Sequence, residues 1–249
     1  MKFIVRTKDG YGRDIRKGVI EILKKNRADY TEKLEPGCDF AIVIGGDGTL
    51  LRDQPELDCP VLGINPGKSV GYYMTAGRVD YEKKVSKLIS GKKGRDYYIY
   101  NLMRLGAEVN GKKMAPALND VLVSPVYVRR ILESSLSIGG RKTMEMNSGI
   151  IVYTPTGSNA FAHSAGAKKL GYDSKKIGVA AIAPYSGILK KQEMLLEDGP
   201  VKVRCLSDTG EVSIDGSESR ISELKKGDVV TVRKSAKPLQ LVGFRERFR

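Results

Sequence analysis

An apolar run, Phe40-Ala41-Ile42-Val43-Ile44, breaks off at Gly45-Gly46-Asp47-Gly48-Thr49 and resumes as Leu50-Leu51. An unbroken apolar run with β-branched members fits a strand buried on both faces, as in a parallel sheet covered by helices. The glycines at its end let the chain turn sharply and bring backbone N–H groups close to a ligand. Open α/β sheets bind ligands outside the carboxyl ends of their strands, so this turn stands where a site is expected. A helix starting behind it would add donors for a phosphate. Asp47 is the odd member, because a carboxylate among phosphate-binding amides repels the ligand. It makes sense there if it takes a proton from an attacking hydroxyl or holds a metal. On spacing alone, a plain Gly-Asp turn from strand to helix stays open.

The flanking sequence supports an α/β domain over residues 1–95. Phe3-Ile4-Val5 and Pro60 to Ile64 read as strands, residues 12–26 as a helix with Ile15, Val19, Ile22 and Leu23 on one face, and Val79 to Ser90 as a charged amphipathic helix capped by Gly91. Gly91-Lys92-Lys93-Gly94 suits a linker. From about residue 96 the period changes from 3.6 to 2. Strand signals follow at Tyr97–Ile99, Leu102–Val109, Leu118–Val123, Ser134–Ile138, Gly149–Tyr153, Val179–Ile182, Val201–Cys205, Glu211–Ile214 and Asp228–Val232. Gly, Asn, Asp and Pro punctuate them, which predicts a mostly antiparallel, layered β domain over residues 96–234.

Composition narrows the chemistry. With 249 residues and 41% hydrophobic side chains, the chain can bury a real core. No apolar run approaches the about eighteen residues that span a membrane, and Met1 to Arg6 reads as a first strand, too short for a signal peptide. Cys38, Cys59 and Cys205 form no CxxC pair, which argues against a disulfide framework or zinc site and fits a reducing cytoplasm. The one histidine, His163, excludes a polyhistidine metal site. A net charge of +14 draws polyanions or phosphorylated small molecules. The basic residues are scattered without a nucleic-acid motif, so neither nucleic acid nor a membrane is an expected partner. The stretch Gly63-Ile64-Asn65-Pro66-Gly67-Lys68-Ser69 looks like a Walker A loop but is one residue short between its glycines.

Two further segments carry polar chemistry. Asn119-Asp120 stands before the apolar Val121-Leu122-Val123, and a ribose diol would satisfy an amide beside a carboxylate. A turn at a strand start is the alternative. Thr154-Pro155-Thr156-Gly157-Ser158-Asn159-Ala160-Phe161 follows Gly149 to Tyr153 and makes a strand–loop–helix unit. Its amides and hydroxyls can ring a nucleotide, or Ser158 or Asn159 can simply cap a helix.

Taken together, the three segments resemble the NAD kinase family. A GGDGT loop alone would also fit diacylglycerol, sphingosine or phosphofructokinases. The segment Thr154 to Phe161 resembles the family's TPTGSTAY stretch and decides among them. Asn119-Asp120 resembles an Asn-Glu pair, Gly63-Ile64-Asn65 a GIN turn, Ala183-Pro184-Tyr185-Ser186 a Pro-His-Ser turn, and Asp215-Gly216-Ser217 an Asp-Gly-Gln turn. The resemblance implies a Rossmann-like N-terminal α/β domain and a β-rich C-terminal domain. It implies an active site in the crevice between them, and a C-terminal tail, from about residue 235 to 249, returning to the first domain.

It further implies Asp47 as proton acceptor for the adenosine 2′-hydroxyl. Gly45, Gly46, Gly48, Thr49 and Arg52 would lie near bound nucleotide, and Asn119 and Asp120 at the ribose. Thr154, Thr156, Asn159, Ala160, Phe161 and Ser164 would form the NAD-binding stretch. Ala183 matches a contact that can come from a neighbouring subunit. ATP or polyphosphate as donor, magnesium as the divalent ion, and a homodimer or homotetramer follow from the same likeness. Three departures stand out: Asp120 in place of Glu, Ser148 where the family often has Asp near the nicotinamide, and Pro66-Gly67-Lys68 in a normally more apolar loop. A lipid or sugar kinase, and a nucleotide or nucleic-acid binder without turnover, are the rival readings.

Overall fold

A computed structural model describes all residues except 9, 68–70, 128, 192 and 249. The chain forms two compact units, Met1–Leu102 with Leu239–Arg249, and Met103–Pro238.

The first unit is built on one sheet in the order β2 (Asp29–Thr31), β1 (Lys2–Thr7), β3 (Phe40–Ile44), β4 (Val61–Asn65), β19 (Leu239–Gly243) and β6 (Tyr98–Leu102), with β5 (Ala76–Gly77) beside β4. The strands from β2 to β19 run parallel, and only β6 is antiparallel. All five residues of β3 are buried, as a strand covered on both faces requires. α1 (Arg13–Lys25) buries Ile15, Val19 and Leu23, one face at helical spacing, and α3 (Tyr81–Ser90) buries Val85 and Leu88. These side chains close over Phe3, Val5, Ile42, Ile44, Leu62 and Ile64 in one core.

Two local readings change. Gly91 does end α3, but in extended backbone (φ −87°, ψ 170°) rather than in the left-handed form expected of a capping glycine. The Tyr97–Ile99 signal belongs to β6, which joins the first unit's sheet through β19 instead of opening the antiparallel series.

The second unit consists of two six-stranded antiparallel sheets. One runs β11 (Arg141–Asn147), β10 (Leu132–Ile138), β15 (Val201–Cys205), β18 (Val229–Lys234), β7 (Leu105–Val109), β8 (Lys112–Lys113). The other runs β14 (Met194–Leu196), β13 (Ile177–Ile182), β12 (Gly149–Tyr153), β9 (Asp120–Ser124), β16 (Thr209–Ile214), β17 (Ile221–Lys225). Leu132, Leu136, Val201, Val203, Val230 and Val232 of the first sheet share a core with Val121, Val123, Ile150, Val152, Val179 and Val212 of the second. The sheets therefore pack face to face. On the outer face of the second sheet, Ile151 and Tyr153 are covered by Ala162 and Ala167. That cover anchors the segment that follows β12. No described helix is long and apolar enough to cross a membrane.

Candidate functional site

In the first unit, β3 delivers the chain into the glycine turn, and α2 (Asp47–Asp53) starts at once with Gly46 as its N-cap. Asp47 is half-buried and aimed by two backbone donors. The N–H of Tyr72 donates to Oδ2 at 2.7 Å and that of Tyr73 to Oδ1 at 2.9 Å. Each oxygen keeps a second acceptor site, because a carboxylate offers about four. The preceding residue has to be glycine: a Cβ on Gly71 would lie 2.9 Å from Asp47 Oδ1 and 2.7 Å from Met74. Gly46, Gly48 and Thr49 line a cavity of about 620 Å3 together with Lys8, Tyr11, Arg52 and Asn65. Arg52 is fixed there by Asp53, its Nε and Nη2 donating to the two carboxylate oxygens at 2.7 and 3.0 Å. Asp53 is itself buried and also accepts from Arg6 Nε at 3.2 Å. Asn65 accepts the N–H of Gly67 at 2.8 Å, which shapes the near end of the Pro66-Gly67-Lys68 loop; residues 68 and 69 of the Walker-like stretch lie outside the described residues.

In the second unit the polar segments converge on the start of β9. Asp215, from the Asp-Gly-Ser turn after β16, accepts the N–H groups of Leu118, Asn119 and Asp120 at 3.0, 2.7 and 3.2 Å. From the other side, Thr154 Oγ1 donates to the Leu118 carbonyl at 2.7 Å, and the Thr154 N–H donates to the Asn119 carbonyl at 2.9 Å. Thr156 Oγ1 reaches the same Leu118 carbonyl at 3.3 Å. Gly157 packs so tightly that a Cβ there would stand 1.9 Å from the Asn119 carbonyl oxygen. Both threonine hydroxyls are buried and engaged inside the protein, so these residues shape the loop.

Asn159 is exposed on the short turn that leads into α4 (Phe161–Ser164), Phe161 and Ser164 are exposed at the two ends of that helix, and Ala160 lies between Asn159 and Phe161. Neither Ser158 nor Asn159 caps that helix. Ser158 Oγ instead donates to the Pro155 carbonyl at 2.6 Å and accepts the Leu170 N–H at 2.8 Å. Ser148 and Ala183 are neighbours: the Ser148 N–H donates to Ile182 at 2.9 Å, and exposed Ala183 follows with a left-handed φ of 43°. His163 is exposed on α4.

Asp120 is 4% exposed. Burial, followed by the nearby Asp215 charge, pushes its carboxyl up to about 7. Burial raises Asp215 as well, but its three N–H donors oppose that rise, so Asp120 is the member that takes the proton. Asp120 has the same formal charge as the Glu it stands in for, but at neutral pH the buried carboxyl keeps only part of it. All three cysteines are free and buried, and burial lifts the Cys59 thiol to about 12.

A model described as the ATP-NAD kinase N-terminal domain matches residues 6–92, and one described as the ATP-NAD kinase C-terminal domain matches residues 118–244. The chain belongs to the NAD kinase family. Among NAD kinase relatives, that of Thermoplasma acidophilum is 32% identical over 210 residues, covering 84% of this chain and 75% of its own. That of Pseudomonas fluorescens strain Pf0-1 is 34% identical, covering 82% and 70%. Two solved structures share the fold. An NAD kinase from Archaeoglobus fulgidus in complex with ATP has a TM-score of 0.79 at 23% identity, covering 99% of this chain and 94% of its own. Yeast NADH kinase complexed with NADH has a TM-score of 0.85 at 17% identity, covering 100% and 84%. The α/β and β-rich units are those of NAD kinases, and the chain is an enzyme of the kinase class.

The Gly71–Tyr73 segment that aims Asp47 carries no polar motif, and its contact spans 25 residues. Asp215 was visible only as part of a weak turn match; its clamp on Asn119 spans 96 residues.

Proposed function

We propose that the protein transfers the γ-phosphoryl group of ATP to the adenosine 2′-hydroxyl of NAD, giving NADP and ADP. The observation that carries the reading is Asp47. It is a half-buried carboxylate at the carboxyl end of a buried parallel strand, with both oxygens oriented by backbone amides and the glycines beside it lining a cationic cavity. A carboxylate so placed accepts the 2′-hydroxyl proton as the oxygen attacks phosphorus. The new O–P bond forms as the bond from phosphorus to the β-γ bridging oxygen breaks, and ADP leaves with that electron pair. Lys8, Arg52 and the glycine amides of the first unit hold anionic phosphates. The second unit supplies nucleoside recognition through Asn119, Asp120 and the exposed Asn159, Phe161 and Ser164. Thr154, Thr156 and Gly157 set the loop's form, Ser148 would meet the nicotinamide end, and its neighbour Ala183 would make a contact that can come from a neighbouring subunit.

Among the described residues no three His, Cys, Asp or Glu side chains are grouped to hold a metal. These side chains do not make a protein cage for an ion; magnesium would enter on the donor's phosphates. Polyphosphate as donor and NADH as acceptor are arms of the same test. Assembly into a homodimer or homotetramer belongs to the same reading, and sedimentation velocity measures it. A cytoplasmic location, checked by fractionation, goes with the free thiols.

The test is an end-point assay with NAD, ATP and Mg2+, reading NADP with an NADP-specific dehydrogenase. The wild type forms NADP, and Asp47→Asn loses roughly a hundredfold or more of the rate. No NADP with either donor, and no NADPH from NADH, overturns the reading.

A further inference from the structure

The last residues of the chain bear on the loop that aims Asp47. Phe248 is 3% exposed. Its ring meets Tyr72 edge to face, with centroids 5.5 Å apart and planes at 86°, and it lies 5.3 Å from the Tyr100 ring. Tyr72 meets Tyr73 edge to face at 5.1 Å. Two hydrogen bonds hold the tail in register. The Tyr100 hydroxyl donates to the Arg245 carbonyl, and Thr75 Oγ1 donates to the Val242 carbonyl at 2.6 Å. Residues 71–75 are neither helix nor strand, so their position is set by what packs on them. On one side they present the Tyr72 and Tyr73 amides to Asp47. On another, Tyr72 is braced by the tail. Next to that brace is a cavity of about 590 Å3, bordered by Met74, Lys84, Phe244 and Arg247. Phe248 is thus the point where the tail presses on the loop.

We propose that Phe248 is a positioning residue for phosphoryl transfer, holding the Tyr72–Tyr73 amides so that the Asp47 carboxylate stays aimed. The proposal rests on the reading of Asp47 as proton acceptor. It assigns the C-terminal tail a part in the reaction without contact with either substrate. An aim set by two amide bonds is lost when the loop shifts, and misplacement of a reacting group by about 1 Å costs roughly a hundredfold in rate.

The experiment compares the whole wild-type chain with Phe248→Ala, Phe248→Leu and Val19→Ala. Val19 is fully buried on the inner face of α1; truncating it loosens the same unit without touching the loop. Two quantities are read: hydrogen exchange of a peptide spanning residues 71–75 in the ligand-free protein, and kcat and KM for NAD. Phe248→Ala speeds exchange at the Tyr72 and Tyr73 amides and lowers kcat roughly ten- to a hundredfold, with KM within about twofold. Phe248→Leu, which keeps most of the bulk, recovers most of both, and Val19→Ala leaves both at wild-type values. Unchanged exchange in Phe248→Ala overturns the proposal. So does faster exchange with unchanged kcat, or a Val19→Ala variant that behaves like Phe248→Ala. A wild type that makes no NADP overturns the functional reading instead, and the exchange comparison still decides whether the tail holds the loop.

Discussion

Replacing Asp120 by Asn should make the second unit more stable at neutral and alkaline pH. In the folded chain the Asp120 carboxyl keeps its proton up to about 7, whereas an unfolded Asp releases it near 3.9. Between those values the native state binds more protons than the unfolded state, so the stability this group contributes falls as pH rises. The contribution is whole below about pH 4 and gone above about pH 7. A shift from 3.8 to about 7 corresponds to about 4 kcal/mol over the full window, of which about 3 kcal/mol falls between pH 5 and 8. Asn has nearly the same shape and does not titrate. The difference in unfolding free energy, Asp120→Asn minus wild type, should therefore rise by about 3 kcal/mol from pH 5 to pH 8. Titrations of groups other than Asp120 and its neighbour Asp215 cancel in that difference. Urea unfolding at several pH values measures it, followed by circular dichroism because the chain has no Trp. A difference that stays flat with pH, or falls, would refute the assignment of the buried proton to Asp120.

Other consequences follow from individual contacts. Gly157→Ala puts a methyl group 1.9 Å from the Asn119 carbonyl oxygen, so the loop must move. We expect a loss of about 3 kcal/mol or more in thermal or urea unfolding, and weaker NAD binding by calorimetry. Thr154→Val removes the hydroxyl that donates to Leu118 and accepts from Gly157; a cost of about 1–3 kcal/mol is expected, with NAD affinity reduced more than kcat. Gly71→Ala crowds Asp47 Oδ1 and should lower kcat while leaving the KM for ATP near the wild-type value, measured in the NADP assay.

Some of this chain is written locally. The burial of Phe40 to Ile44 follows from an unbroken apolar run, and the turn after it from three glycines around one acid; neither needs a partner to be recognised. α1 declares itself through Ile15, Val19 and Leu23 at helical spacing, and β15 through strict alternation of buried and exposed residues. Periodicity and glycine preferences act over a few residues, which is why they can be read along the chain. Resemblance then supplied the family from three short segments.

The aim and charge of the site were not written that way. Tyr97 to Ile99 looked like the opening of the antiparallel series, but the strand it belongs to, β6, pairs with β19. Ser158 looked like a helix cap until its hydroxyl was claimed by Pro155 and Leu170. Thr154 and Thr156 looked like ligand contacts, and their hydroxyls are engaged inside. Asp120 kept the formal charge of the residue it replaces, while burial and the nearby Asp215 withdraw part of it. The sequence by itself determined which residue types stand at the ends of which elements, because strand, turn and helix preferences are local. Only the tertiary structure decided what each polar group bonds to and whether it is charged. Those depend on partners as far apart as Leu118 and Asp215, 97 residues along the chain, and on the water that folding removes.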